Sequence, residues 1–248
     1  IGMMKVGYLK RLESSIHSFA ISINRTVNQI KNLLDKIEEY EKLPEEQKER
    51  FANQNQIEQS FEDNEDFSEE VDASGDFDNA DLFVGKKLKF SLADLRLDDW
   101  KKDLRSDRSA MIMIRDTANK ITVERDAKLQ ELKRLIKNKV ECPINPNNKK
   151  VVIFTAFSDT AEYLYQAIQP WAKDELGLES GLVCGSNSAA SWGKTDFNMI
   201  LTNFAPKAKH REELNLSATE KAKELDILIA TDCISEGQNL QDGDYLIN

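Results

Sequence analysis

The sequence predicts an α/β fold: a parallel sheet with helices on both faces, preceded by a mostly α-helical region. Two observations carry this. VVIFTAF (151–157) is a continuous apolar run of strand length, the pattern of a strand buried on both faces, LDILIAT (225–231) is a second buried strand, and DYLIN (244–248) begins a third. Before residue 142, by contrast, apolar residues recur at helical spacing. The expected division is a helical region over residues 1–141 and a sheet domain over residues 142–248, within a 248-residue chain long enough for one large domain or two small ones.

Residues 5–42 read as one long helix. Leu9, Leu12, Ile16, Phe19, Ile23, Val27, Ile30, Leu34 and Ile37 alternate at spacings of three and four and fall on one stripe. Such a stripe is a bundle face or a coiled-coil seam, and the Leu9–Ile37 seam makes a homodimer one expectation. Pro44 ends or bends the segment.

Residues 53–81 are acidic, with few aliphatics and with Gly75 and several Asn, and read as a mobile loop or insertion. A mimic of nucleic acid that competes for a basic face is the sharper alternative. No Lys or Arg occurs between Phe51 and Gly85, so this stretch accounts for the whole of the net charge of -10. The remainder is nearly balanced, which keeps a local basic surface open despite the acidic total.

Helical character returns from Ser91 to Lys139. DAKLQELKRLIKNK (126–139) is amphipathic, with Leu129, Leu132, Leu135 and Ile136 inward and lysines in the last turn, where they suit the helix dipole. CPINPNN (142–148) breaks the chain. After the first buried run, Ser158 or Asp159 can cap the helix TAEYLYQAI (160–168). GLVCG (181–185) is a short strand, and DFNMILTNF (196–204) a helix with Phe197, Ile200, Leu201 and Phe204 on one side.

Composition bounds the chemistry. Cys142, Cys184 and Cys233 are sparse and odd in number, which argues for a reducing compartment, and two histidines with no CxxC pair leave no metal cluster. No apolar stretch approaches the length of a membrane span, and the first residues do not read as a signal peptide, so a cytoplasmic protein is expected.

Ligands of open parallel sheets bind beyond the carboxyl ends of the strands. The first run ends at Thr155 and the second at Thr231-Asp232. Beyond the second, Gly237 permits close approach of a ligand to the backbone, and Asn239 and Gln241 offer amides to a ribose or base. The bland alternative stands beside it: Asp232 caps a short helix and Glu236 pairs locally. A second candidate is SAASWGKT (188–195), which has the GK[ST] end of a phosphate loop but Ser188 where the first glycine belongs. On that alternative the chain is a self-contained P-loop NTPase with Lys194 on the phosphates and Asp232 at Mg²⁺.

ILIATDCISEGQNLQDGDYLIN (227–248) resembles motif V of superfamily-two helicases and translocases, and KKVVIFTAFSDTAEYLYQAI (149–168) resembles motif IV with its following helix. They occur in the family's order, with Thr155 lying 76 positions before Thr231. The SEGxNLQ form is similar to the Swi/Snf-like branch and its bacterial members. DAKLQELKRLI (126–136) fits that branch, and YLKRLESSIHSF (8–19) resembles the helix joining the two lobes in bacterial members.

The resemblance implies a truncated second RecA-like lobe of an ATP-dependent DNA translocase or helicase. In such enzymes ATP and Mg²⁺ sit between two lobes and double-stranded DNA lies across both, so the first lobe of the parent chain is an implied partner. Residues matching Thr155, Phe157, Thr231 and Asp232 lie near the nucleic-acid backbone. Those matching Glu236, Gly237, Asn239 and Gln241 lie near the nucleotide or couple the two sites. A first-lobe Walker loop, a DExx box and the arginine-rich motif VI are not found in the sequence. It opens on Ile rather than Met and is expected to be a fragment that does not hydrolyse ATP alone. The alternative from another class is a non-enzymatic helical interaction module.

Overall fold

The computed structural model describes residues 2–49, 56–57, 83–84, 88–185, 187–217, 220, 223–231, 234 and 238–248. The acidic stretch 53–81 lies outside the described residues apart from Gln56 and Ile57. The chain is α/β and divides into two compact units. One comprises residues 1–23 and 114–248, the other residues 24–113.

In chain order the helical part contains α1 (Gly2–Ser14), α2 (Ile16–Glu41), α3 (Glu45–Glu49), β1 (Gln56–Ile57), β2 (Phe83–Val84), β3 (Leu88–Ser91) and α4 (Leu97–Ala118). It is followed by α5 (Ala127–Glu141), β4 (Val151–Phe154), α6 (Ser158–Leu176), β5 (Ser180–Cys184), β6 (Asn187–Ala190), β7 (Gly193–Lys194), α7 (Phe197–Phe204), β8 (Ile227–Ala230) and β9 (Tyr245–Ile247).

The expected single helix over 5–42 is two helices. The break falls at Ser15, whose Oγ accepts from the His17 N–H at 3.1 Å and so caps α2. Its backbone still bonds to Arg11 on one side and Phe19 on the other, so the chain turns without losing its ladder. Beyond the break the stripe is used within the chain: Ile23, Val27, Leu34 and Ile37 are buried, while Leu9 and Leu12 are exposed.

In the 24–113 unit, Ile37, Tyr40 and Leu92 form a core with Leu33, Leu95, Trp100 and Leu104 packed against it. β3 pairs antiparallel with β1 and β2 there.

The other unit is built on a six-stranded sheet of order β7-β6-β5-β8-β4-β9. The four strands β5, β8, β4 and β9 are parallel. β6 and β7 return antiparallel, so the sheet is mixed rather than wholly parallel as expected. Side chains alternate across it as strand geometry demands. Val151, Ile153, Leu182, Ile227 and Ile229 face α5 and α6. Val152, Val183, Leu228 and Ala230 face the α7 side, with Ile200, Leu201 and Phe204. Each such fully buried large side chain contributes about 1.5–3 kcal/mol relative to exposure. Apolar runs without a polar face were therefore necessary at β4 and β8.

α5 buries Leu129, Leu132 and Ile136 as expected, leaves Leu135 half-buried where it was expected inward, and adds Lys139, whose ammonium meets Asp244. Asp126 caps this helix by accepting from the Leu129 N–H at 3.1 Å. α6 has Phe157 at its N-cap, without a side-chain cap bond, instead of the expected Ser158 or Asp159. It ends at Gly177, whose φ of 64° favours glycine. Among the described residues no helix is long and apolar enough to cross a membrane.

Candidate functional site

β4 and β8 are adjacent and parallel, with Phe154 opposite Ala230 in register. The two chain segments leaving them therefore emerge side by side. The Thr155 N–H donates to the Ala230 carbonyl at 3.0 Å, and the Thr231 N–H donates to the Val183 carbonyl at 3.1 Å. Thr155 and Thr231 thus extend the ladder by one residue each at the carboxyl edge of the sheet. They are buried, at 8% and 7% exposure.

Thr155 is buried under the corner between α1 and α2. Ser14 Oγ lies 3.3 Å from Thr155 Oγ1 and 3.0 Å from Thr160 Oγ1, and Ser18 Oγ lies 2.7 Å from Thr160 Oγ1. Phe157, half-buried, lies beneath the same corner, with the Arg11 guanidinium 4.6 Å from its ring centroid. Arg11 Nη1 also donates to Asp159 Oδ2 at 2.7 Å, with side chains 11% and 18% exposed. The Phe157 carbonyl accepts from the Thr160 and Ala161 N–H groups at 3.1 and 3.0 Å, starting α6.

The same corner touches α5 and α6. The Lys128 ammonium donates to the Glu13 carbonyl and, at 3.3 Å, to that of Ser14. His17 stacks on Tyr163 with centroids 4.6 Å apart, and the Tyr163 hydroxyl donates to Asp126 Oδ2 at 2.8 Å. Burial and the bond to Asp126 push the Tyr163 phenol well above its ordinary range.

Of the expected site residues beyond β8, Asp232, Glu236 and Gly237 lie outside the described residues. Asn239 and Gln241 are exposed, joined by a bond from the Gln241 N–H to Asn239 Oδ1 at 3.3 Å. The segment carrying them runs back toward the amino ends of the strands. Asp242 accepts from the Lys207 and Ala208 N–H groups at 2.8 and 3.0 Å, and its carbonyl accepts from Asn148, just before β4. Tyr245 then pairs with Val151. Gln238 and Leu240 turn inward and, with Val152, Phe154 and Ile234, line a pocket of about 360 Å³ on the α7 side of the sheet.

The segment 188–195 is not a phosphate loop. Ser188–Ala190 lies in β6 and Gly193–Lys194 in β7, paired antiparallel with Ala190 opposite Gly193. A phosphate loop passes from strand to helix and turns its N–H groups inward. Here a hairpin intervenes, Lys194 is exposed, and the Thr195 hydroxyl donates to the Gly193 carbonyl at 3.0 Å. Among the described residues no group of three His, Cys, Asp or Glu side chains could hold a metal ion.

Arg11, Ser14, Ser18, Asp159 and Thr160 were not among the expected site residues. A signal for three of them was present: Arg11, Ser14 and Ser18 stand at i, i+3 and i+7, the spacing of one face across α1 and the start of α2. No known protein family, curated protein or solved structure matches the chain.

Proposed function

We propose that the chain is part of a Swi/Snf-like, ATP-dependent DNA translocase or helicase and supplies the second RecA-like lobe. One observation supports this above others. In-register parallel pairing of β4 with β8 makes neighbours of the two segments that resemble motifs IV and V, at the carboxyl edge where parallel sheets bind ligands. Tips at opposite ends of the sheet would have excluded the reading.

In this reading the edge faces a nucleic-acid backbone, and movement comes from opening and closing against a first lobe. ATP bound with Mg²⁺ supplies the energy of that cycle. The 188–195 hairpin makes no lysine-bearing cradle for a triphosphate, and the chain's own part in this reading is half of the ATP cleft and part of the DNA-binding surface. The burial of Thr155 and Thr231 favours backbone and loop groups around them over their hydroxyls as contacts.

The test is a titration of the purified chain against a labelled DNA duplex at several salt concentrations. Expected is weak binding, about 10⁻⁴–10⁻⁶ M, whose log affinity falls linearly with log salt as counterions are released. With a net charge of -10 the chain has no general attraction for DNA, so such binding requires a local surface. No binding at low salt, or binding indifferent to salt, rejects the proposal.

A further inference from the structure

We infer that Arg11, Ser14 and Ser18 are positioning residues for the segment 155–160 and act as a clamp from the α1–α2 corner. The inference rests on the preceding reading for its functional meaning, since that segment carries two of the proposed nucleic-acid residues.

The segment has little to fix it locally. It follows a four-residue strand, and Phe157 gives α6 no side-chain cap. With no side-chain cap, the first turn of α6 is held at its start by the Phe157 carbonyl, which accepts from the Thr160 and Ala161 N–H groups, so its geometry depends on where Phe157 is placed. The clamp supplies what local sequence lacks, through three side chains more than 140 positions away.

Arg11 makes two contacts at once. Its guanidinium lies over the Phe157 ring and binds the Asp159 carboxylate in the first turn of α6. A planar, delocalised cation can stack and pair together, which a lysine ammonium cannot reproduce. Ser14 and Ser18 complete a run of hydroxyls, Ser18 to Thr160 to Ser14 to Thr155. Ser18 is fully buried, so its bond to Thr160 is not shared with solvent and its loss strands a polar atom, while the two bonds of Ser14 are part-buried. The Thr155 hydroxyl thereby meets α1 while its N–H stays on the sheet edge.

The experiment compares Arg11→Met, Arg11→Lys and Ser14→Ala with the unaltered chain in two readouts. The first is amide hydrogen exchange at Thr160 and Ala161, whose N–H groups bond to the Phe157 carbonyl. Arg11→Met is expected to raise their exchange by about tenfold or more, with Ile229 and Ala230 in β8 unchanged. Ser14→Ala is expected to act in the same direction more weakly, and Arg11→Lys to fall between Arg11→Met and the unaltered chain. Unchanged protection in Arg11→Met, or exchange raised equally in β8, overturns the clamp, the second outcome meaning general destabilisation.

The second readout is affinity for the labelled duplex. Arg11→Met is expected to weaken it about fivefold with an unaltered salt slope, because orientation is lost and no phosphate contact is removed. A slope reduced by about one makes Arg11 itself a phosphate ligand and overturns a positioning role. Should the unaltered chain bind no duplex, the nucleic-acid reading fails while the exchange readout still decides the clamp.

Discussion

Lys139 Nζ lies 2.6 Å from Asp244 Oδ1, and the lysine side chain is only 2% exposed. The pair joins the last turn of α5 to the residue before β9. The approach leaves neither atom in a well-aligned hydrogen bond, so the contact is held by charge. Asp244 Oδ2 also accepts from the Asn145 backbone and side-chain nitrogens at 3.3 and 2.8 Å. Lys139→Met is expected to destabilise by about 2–4 kcal/mol, since it leaves a mostly buried carboxylate short of a partner. Thermal unfolding of the variant checks this, and a cost below about 0.5 kcal/mol would show the pair to be no more than a surface contact.

The same carboxylate gives a pH dependence. Burial raises the Asp244 pKa, but the Lys139 ammonium and the Asn145 donors together outweigh it, and the net shift is downward. A depressed carboxylate contributes stability in full above its unfolded value, about 3.9, and loses it as pH falls through the folded value. The stability difference between the unaltered chain and Asp244→Asn should therefore be constant near neutrality and shrink below about pH 4. A difference that grows toward acid contradicts the sign.

Gly181 lies within β5 where a Cβ would meet Leu225 Cδ1 at 2.8 Å and Ile200 Cγ2 at 3.0 Å. Gly181→Ala should overpack this side of the sheet and cost about 1–3 kcal/mol, read as a lowered denaturation midpoint with unchanged slope. A neutral outcome would mean that Leu225 and Ile200 repack freely.

Asp126 serves α5 as its cap and Tyr163 as its acceptor. Asp126→Ala should cost about 1–2 kcal/mol for the cap alone, with a further loss from the stranded tyrosine hydroxyl. Tyr163→Phe, which keeps the cap, should cost less. The reverse order in chemical denaturation would assign the energy to the tyrosine bond.

Ile23 is 2% exposed, so Ile23→Asp should unfold or strongly destabilise the chain by burying an unpaired charge. It cannot report on pairing between copies. Leu9 and Leu12 are exposed and can. If the seam pairs two chains, Leu9→Asp with Leu12→Asp should convert a dimer to a monomer in sedimentation while leaving the melting temperature nearly unchanged.

The sheet was legible where burial alone dictated composition. β4 and β8 had to be apolar on both faces, and an apolar run bounded by threonine was the result. α5 declared itself by period and by lysines at its end. The hairpin of β6 and β7 did not, because GKT reads alike in a turn and in a phosphate loop. Pairing with β5 decides between them, and that pairing depends on residues elsewhere in the chain.

What the sequence determined by itself was the buried strands β4, β5 and β8 and the two segments that end at Thr155 and Thr231, because local pattern suffices to say which backbone must be sheltered from water. What only the tertiary structure decided was how those ends are held. Arg11 meets Asp159 across 148 positions, and Ser14 meets Thr155 across 141. The spacing of Arg11, Ser14 and Ser18 shows a shared face but not what that face meets; the contacts exist only once the chain has folded and brought the α1–α2 corner against the start of α6.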